Sequence, residues 1–234
     1  MDLVYVVRRS EVNEPLRYSL RSIEVHFPVG RVWIVGYKPS WVTGVEYLPT
    51  MQAGTKWQNS TSNMLTACLH DEIAESFVYM NDDFYVVEPV DEVEPLNRGT
   101  VDQVLEYYHY ARGRYVAGMR RTREILTELG VDEPLSYELH LPMVIHREPM
   151  VEAIRLASEV ADSLGALHKR TLYGNLAGVG GRSVEDVKIH GDRQPLPAGP
   201  YWSTSPQSFG GKTGKRLRQM FPDPSSFERR PRGR

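Results

Sequence analysis

Residues 77–87, Phe77-Val-Tyr-Met-Asn-Asp-Asp-Phe-Tyr-Val-Val87, place two apolar runs on either side of an adjacent pair of carboxylates, Asp82 and Asp83. An uncharged run such as Phe77 to Met80 is what a strand covered on both faces needs. Carboxylates at the end of such a strand offer hard oxygen ligands, which suit Mg²⁺ or Mn²⁺ and leave coordination positions open for phosphate oxygens. The same residues also suit a hairpin whose turn is Asn-Asp, because these side chains tolerate the positive φ of tight turns. The stretch by itself leaves both readings open.

Toward the N-terminus the chain alternates strands and helices. Leu3 to Val7 reads as a buried strand. Asn13 is a good N-cap, Glu14 and Pro15 suit a first helical turn, and Leu16, Leu20, Ile23 and Phe27 recur on one helical face. Arg31 to Gly36 is a second buried strand and Val45 to Leu48 a third, and Ser60 or Thr61 caps a helix reaching about Ile73. This order predicts an α/β domain with a mostly parallel sheet and right-handed crossovers. Ligands of such sheets bind beyond the carboxyl ends of the strands, where Arg8 and the Asp82–Asp83 pair both fall.

After Pro95 the texture becomes helical and rich in loops. The pattern predicts helices over Val101–Tyr110, over Thr122–Leu129 with Thr122 as cap and Gly130 as stop, and over Met150–Leu164. Tyr107, Tyr108 and Tyr110 form either a stacking platform or a packing surface. Gly174 to Gly181 reads as a glycine-bearing loop, Asp186 to His190 as a short strand, and the proline- and glycine-rich Gln194 to Gly214 as loop.

The chain has 234 residues, 41% apolar and 25% charged, which suits one globular domain with a proper core. The single Cys68 excludes an intramolecular disulfide, fits a reducing cytosol and reads as a small buried hydrophobe. The apolar stretch before Arg8 and Arg9 is too short for a secretory signal, and no stretch is apolar enough to span a membrane, so a cytoplasmic protein is expected. The net charge of −2 conceals an asymmetry. From Lys212 onward eight Lys or Arg residues face only Asp223 and Glu228, a net +6 that leaves about −8 for residues 1–211. We therefore expect one domain over 1–211 and a basic tail over 212–234. That tail is either a contact for nucleic acid or an acidic partner, or a solvated terminus that Pro222, Pro224 and Pro231 keep from forming a helix past Met220.

Three local patterns, Asn13-Glu-Pro-Leu-Arg-Tyr-Ser-Leu-Arg-Ser-Ile23, the Pro39-Ser-Trp41 turn and Asn81-Asp-Asp-Phe84, together resemble the second conserved block of the Stealth family of sugar-phosphate transferases. The chain is also similar to compact glycosyltransferase-like proteins encoded by actinobacterial phages. Both resemblances imply a GT-A-like fold, a nucleotide-binding α/β sheet that carries an acidic metal motif. They cover residues 1–90 best, and the chain departs from Stealth proteins in having Val7-Arg-Arg9 where those carry a Trp-containing motif. The resemblance further implies a nucleotide-sugar donor, with a UDP-sugar expected, and Mn²⁺ or Mg²⁺ as the divalent metal. His140, in Tyr137-Glu-Leu-His-Leu-Pro142, matches a His-x-Pro element of these families and is thereby a candidate metal ligand or catalytic group, with His190 as the second candidate ligand.

The chemistry then assigns candidate roles. Asp83 is the first choice for a direct metal ligand, with Asp82 acting through water or on a ribose. Arg8, Arg17 and Arg21 are candidate phosphate ligands, since guanidinium forks match phosphate oxygens. Lys56 and Asn59 lie where a loop meets a helix and are candidates for contacting base, ribose or phosphate. Asp186 or Glu138 is the candidate general base for an acceptor hydroxyl, and Arg170, Tyr173 and Asn175 are secondary candidates. The resulting expectation is a metal-dependent transfer of sugar from a nucleotide sugar to a hydroxyl of an acceptor that is DNA, a virion protein or a glycan. Transfer of sugar-1-phosphate with release of a nucleoside monophosphate is the alternative. A non-catalytic protein that binds nucleic acid or a virion component through its basic tail is the second.

Overall fold

Leu3, Tyr5 and Val7 face one side of the first strand and Val4 and Val6 the other, and each set lies in its own apolar cluster. A strand buried on both faces has no place for alternating polar residues, which is why this stretch is continuously apolar. The computed structural model describes residues 1–28, 30–161 and 166–229. In chain order its elements are β1 (Asp2–Val7), α1 (Glu14–His26), β2 (Val32–Gly36), β3 (Glu46–Pro49), α2 (Lys56–Leu69), β4 (Ser76–Asn81), β5 (Phe84–Val86), β6 (Leu96–Asn97), α3 (Val101–Tyr107), α4 (Arg114–Glu128), β7 (Met143–His146), α5 (Arg147–Val160), α6 (Lys169–Leu176), β8 (Arg182–Ser183), β9 (Lys188–Ile189), β10 (Tyr201–Thr204), α7 (Pro206–Gly210) and α8 (Lys212–Met220).

The main sheet has the order β3-β2-β1-β4-β7. Its first four strands are parallel, and β7 pairs with β4 antiparallel. Helix α1 packs Leu16, Leu20 and Ile23 on one face, while α2 and α5 pack Met64, Ala67, Ile154 and Ala157 on the other. Each fully buried Leu or Ile of this kind contributes about 2 kcal/mol. The mostly parallel α/β sheet is therefore as expected. The crossover helices leave β1 toward one face and reach β4 from the other, so the gap between the carboxyl ends of β1 and β4 is a topological switch point.

Asp82 and Asp83 lie between two strands that do not pair with each other. β4 belongs to the main sheet, whereas β5 joins β10 and β9 in a second, three-stranded sheet. The hairpin reading is thereby corrected: the chain changes sheets at the carboxylates. Buried serines of α1 fix that change of direction, with Ser19 donating to the Phe84 carbonyl and Ser22 Oγ accepting from Val86 N at 3.0 Å.

Several boundaries differ from expectation. α2 starts at Lys56 because Thr55 and Gln58 form a capping box, so Ser60 and Thr61 lie inside the helix. Thr122 is buried in the middle of α4, where its hydroxyl donates to Gly118 O and accepts from His168 N, so it is not a cap. Gly174 is helical within α6, and the expected loop over 194–214 contains β10 and α7. α5 ends at Val160, where Ala161 turns extended, and residues 162–164 of the expected helix lie outside the described residues. The basic tail packs against the domain as far as Arg229. Leu217, Phe221 and Ser225 are buried, and Glu228 is clamped by Arg21 at 2.6 Å. The solvated-terminus reading does not hold for these residues, and residues 230–234 lie outside the description.

Candidate active site

The register of β1 with β4 sets Val6 beside Asn81, so Arg8 and the carboxylate pair emerge side by side at the switch point. Asn13 ties α1 to the carboxylate pair. Its side chain accepts from Leu16 N to cap α1 and donates from Nδ2 to Asp82 Oδ2 at 2.9 Å. It does so at φ 28°, a conformation Asn tolerates better than most residues. Burial, with Asp83 adjacent, pushes the Asp82 carboxyl above its ordinary value despite the Asn13 bond.

Around this point one cleft gathers Arg8, Lys56, Asp82, Asp83, Glu138 and His140 from the expected residues. It also gathers Arg170 from the secondary candidates, and Trp57, His168 and Lys169, which were not expected. Lys169 Nζ donates to Ser60 Oγ at 2.8 Å and lies 5.5 Å from the centre of the Tyr79 ring. Arg170 is committed to Glu138, whose Oε1 accepts from the Arg170 backbone N at 3.2 Å and whose Oε2 accepts from its guanidinium at 3.3 Å. Burial pushes the Glu138 carboxyl up, but Arg170, His168 and Lys169 outweigh it and hold the group down at about 2. A carboxylate so engaged is a poor base.

His140 and Asp186 form a rigid pair. The Asp186 carboxylate accepts from His140 N at 2.8 Å and from His140 Nδ1 at 2.7 Å, which leaves Nε2 free of that partner. Burial opposes ionisation of Asp186, yet the bonds to His140 bring its carboxyl down to about 2. On the far side of Asp186 lies a larger cavity of about 690 Å³, bordered by Val90, Leu141, Val184, Pro195 and Tyr201. Its one lining cation, Arg182, is paired to Glu94, so the smaller cleft is the one equipped for phosphate.

The four expected metal ligands do not meet as a coordination set. Asp83 Oδ2 is 2.5 Å from Lys188 Nζ, Asp82 is held by Asn13, and the Nδ1 of His140 is held by Asp186. His190 is exposed, and its backbone N donates to Gln194. Among the described residues no three His, Cys, Asp or Glu side chains converge to hold an ion.

Arg17 and Arg21 are likewise not brought to the cleft. Both pair with Glu228, and Arg21 also donates to the carbonyls of Phe221 and Pro222. Asn59 caps its own loop through two bonds to Gly54. Tyr107 and Tyr110 are exposed, whereas Tyr108 packs edge-on against Tyr115. Tyr173 bonds Val144 and His146, and Asn175 bonds Leu135, so both serve packing.

No protein-family model matches the sequence, and no curated protein does. Solved structures match. A structure of the galactosyltransferase LgtC in complex with donor and acceptor sugar analogs aligns over 97% of this chain and 97% of its own, with TM-score 0.53 and 9% identity. The chain has the fold of that galactosyltransferase. The bifunctional glycosyltransferase WbbM matches over 81% of this chain and 40% of its own, with TM-score 0.47 and 12% identity. Mouse xyloside xylosyltransferase 1 matches over 97% and 96%, with TM-score 0.39 and 11% identity. The expected GT-A-like sheet is thus present, and at 9% identity the likeness extends to the fold alone. Among the described residues no helix is long and apolar enough to cross a membrane.

Proposed function

We propose that the chain is a glycosyltransferase that moves a sugar from a nucleoside diphosphate sugar, with UDP as the expected nucleotide, to an acceptor hydroxyl. One observation carries this reading: free cations, a carboxylate pair and a braced histidine share one cleft at the switch point of a sheet that a galactosyltransferase also has. Arg8, Lys56 and Lys169 bind the diphosphate, and Trp57 and Tyr79 give the cleft its aromatic walls. The acceptor enters from the cavity beyond Asp186.

In the transfer step the acceptor oxygen forms a bond to the anomeric carbon as that carbon's bond to the diphosphate oxygen breaks. The diphosphate departs with the electron pair, and the hydroxyl proton passes to His140 Nε2. Asp186 is a positioning residue that fixes the ring and stabilises the imidazolium. Arg8 and the lysines oppose the charge that develops on the leaving group, Lys169 from a position held by Ser60. Holding both substrates in this geometry is itself a large share of the acceleration.

The test is to incubate the full chain with nucleotide sugars and candidate acceptors and to identify the nucleotide released. A nucleoside diphosphate supports sugar transfer. A nucleoside monophosphate supports sugar-1-phosphate transfer in its place, and release of neither removes the enzymatic reading.

A further inference from the structure

A GT-A-like transferase is expected to oppose the donor's diphosphate with a divalent cation on its acidic pair, yet here that position is contested by the protein's own ammonium. Lys188 Nζ is 2.5 Å from Asp83 Oδ2 and 3.2 Å from Ser203 Oγ. The side chain is only 11% exposed. Its place is set by the second sheet, where Lys188 is the parallel partner of Ser203 and Ser203 is the antiparallel partner of Phe84, the residue after Asp83. A lysine fixed by strand register and by two hydrogen bonds is not a surface side chain passing by.

A divalent ion sits about 2.1 Å from its oxygen ligand. On the oxygen that Lys188 holds it would stand within about 4.6 Å of the ammonium, by adding that distance to 2.5 Å, and the repulsion in a partly desolvated site is large. The other expected ligands do not compensate, because among the described residues no three His, Cys, Asp or Glu side chains converge to hold an ion, and exposed His190 has its backbone N on Gln194. The charge balance points the same way. Arg8, Lys56, Lys169 and Arg170 line the cleft with Asp82, Asp83 and Glu138, so cations already outnumber carboxylates there before Lys188, paired with Asp83, is added.

We infer that Lys188 takes the part of the divalent cation, so that this chain binds the diphosphate of its donor without metal. The inference rests on the proposed nucleotide-sugar reading. An ammonium has three N–H donors, and the third remains for a phosphate oxygen once Asp83 and Ser203 have taken two. Asp83 is then the residue that orients the lysine rather than a metal ligand.

Two measurements on the full chain test this. Mn²⁺ alone is titrated into the protein and followed by electron paramagnetic resonance, and UDP binding is measured by calorimetry in EDTA and in Mn²⁺. We expect no Mn²⁺ retained below about millimolar concentration, and UDP affinity that differs by less than about twofold between the two buffers. In Lys188→Gln, UDP affinity in EDTA falls by about tenfold or more, and Mn²⁺ now binds the vacated carboxylate and restores part of it. Micromolar Mn²⁺ binding by the unaltered chain, lost in Asp83→Asn, overturns the inference without needing Lys188→Gln to fold. UDP binding seen only with Mn²⁺ overturns the inference and leaves the transferase reading standing. No UDP binding in either buffer overturns both.

Discussion

Asp186 holds His140 at two points, accepting from its backbone N at 2.8 Å and from its ring Nδ1 at 2.7 Å. Two hydrogen bonds to one carboxylate fix ring position and tautomer together and leave Nε2 free of that partner, and in the proposed transfer Nε2 accepts the hydroxyl proton. Asp186→Asn keeps the shape but loses the charge that supports the imidazolium. Turnover is expected to fall by about 10²-fold or more with the donor KM little changed. A rise in donor KM with unchanged turnover would assign the pair to binding instead.

The buried ion pair predicts an acid sensitivity. Glu138 and Asp186 are both held near 2 in the folded chain, below the ordinary carboxylate values of 4.5 and 3.8. A folded-state value below the unfolded one adds stability that is complete above the unfolded value and is lost as pH falls toward the folded one. Urea midpoints should therefore hold steady above about pH 5 and fall between about pH 4.5 and 2, with Glu138 accounting for on the order of 2–3 kcal/mol. Glu138→Gln should flatten that slope while lowering stability at pH 7, because Arg170 is left buried without its counter-charge. An unaltered slope would show that the pair does not set the acid limb.

Gly174 gives a packing test of the wall behind the cleft. A Cβ at this position would meet the Tyr137 ring at 2.4 Å, and Tyr137 is 2% exposed, so the ring has nowhere to go. Gly174→Ala should gain about 1 kcal/mol of helix propensity in α6 and lose more to overpacking, for a net loss of about 1–2 kcal/mol in denaturant unfolding. A stabilised variant would mean that α6 and the Tyr137 segment pack more loosely than described.

The clamp on the C-terminal segment is equally specific. Arg21 and Glu228 have side chains only 9% and 8% exposed, and Arg17 shares the same carboxylate. Glu228→Ala should cost about 3 kcal/mol, since two guanidinium groups lose their counter-charge, whereas Arg17→Ala should cost less than about 1 kcal/mol. Equal effects in thermal or urea unfolding would contradict the assignment of Arg21 as the principal partner.

Much of this architecture was written locally. The uninterrupted apolar runs at Leu3–Val7 and Val32–Val35, the Asn13 cap and the carboxylates after Met80 are short-range signals, and each lies where the chain pattern puts it. What escaped was set by long-range pairing. β10 lies between Pro200 and Pro206, where prolines argue for loop, and it is a strand because β5 and β9 flank it. α4 begins at Arg114 after an N-cap, Gly113, that has no side chain to announce it. Lys188 was invisible as a site residue for the same reason, since only tertiary structure sets it beside Asp83. Arg17 and Arg21 carried the right chemistry for phosphate, but a glutamate some two hundred residues later in the chain claims them. A signal for Lys169 did exist in the run His168-Lys-Arg170 opening a helix.

A crystal of the full chain soaked with a UDP-sugar tests the central claim most directly. The diphosphate is expected at the carboxyl ends of β1 and β4, within hydrogen-bond distance of Arg8 and Lys169, with the sugar directed toward His140 Nε2. A nucleotide bound in the larger cavity beyond Asp186, or density for none at saturating concentration, would contradict it.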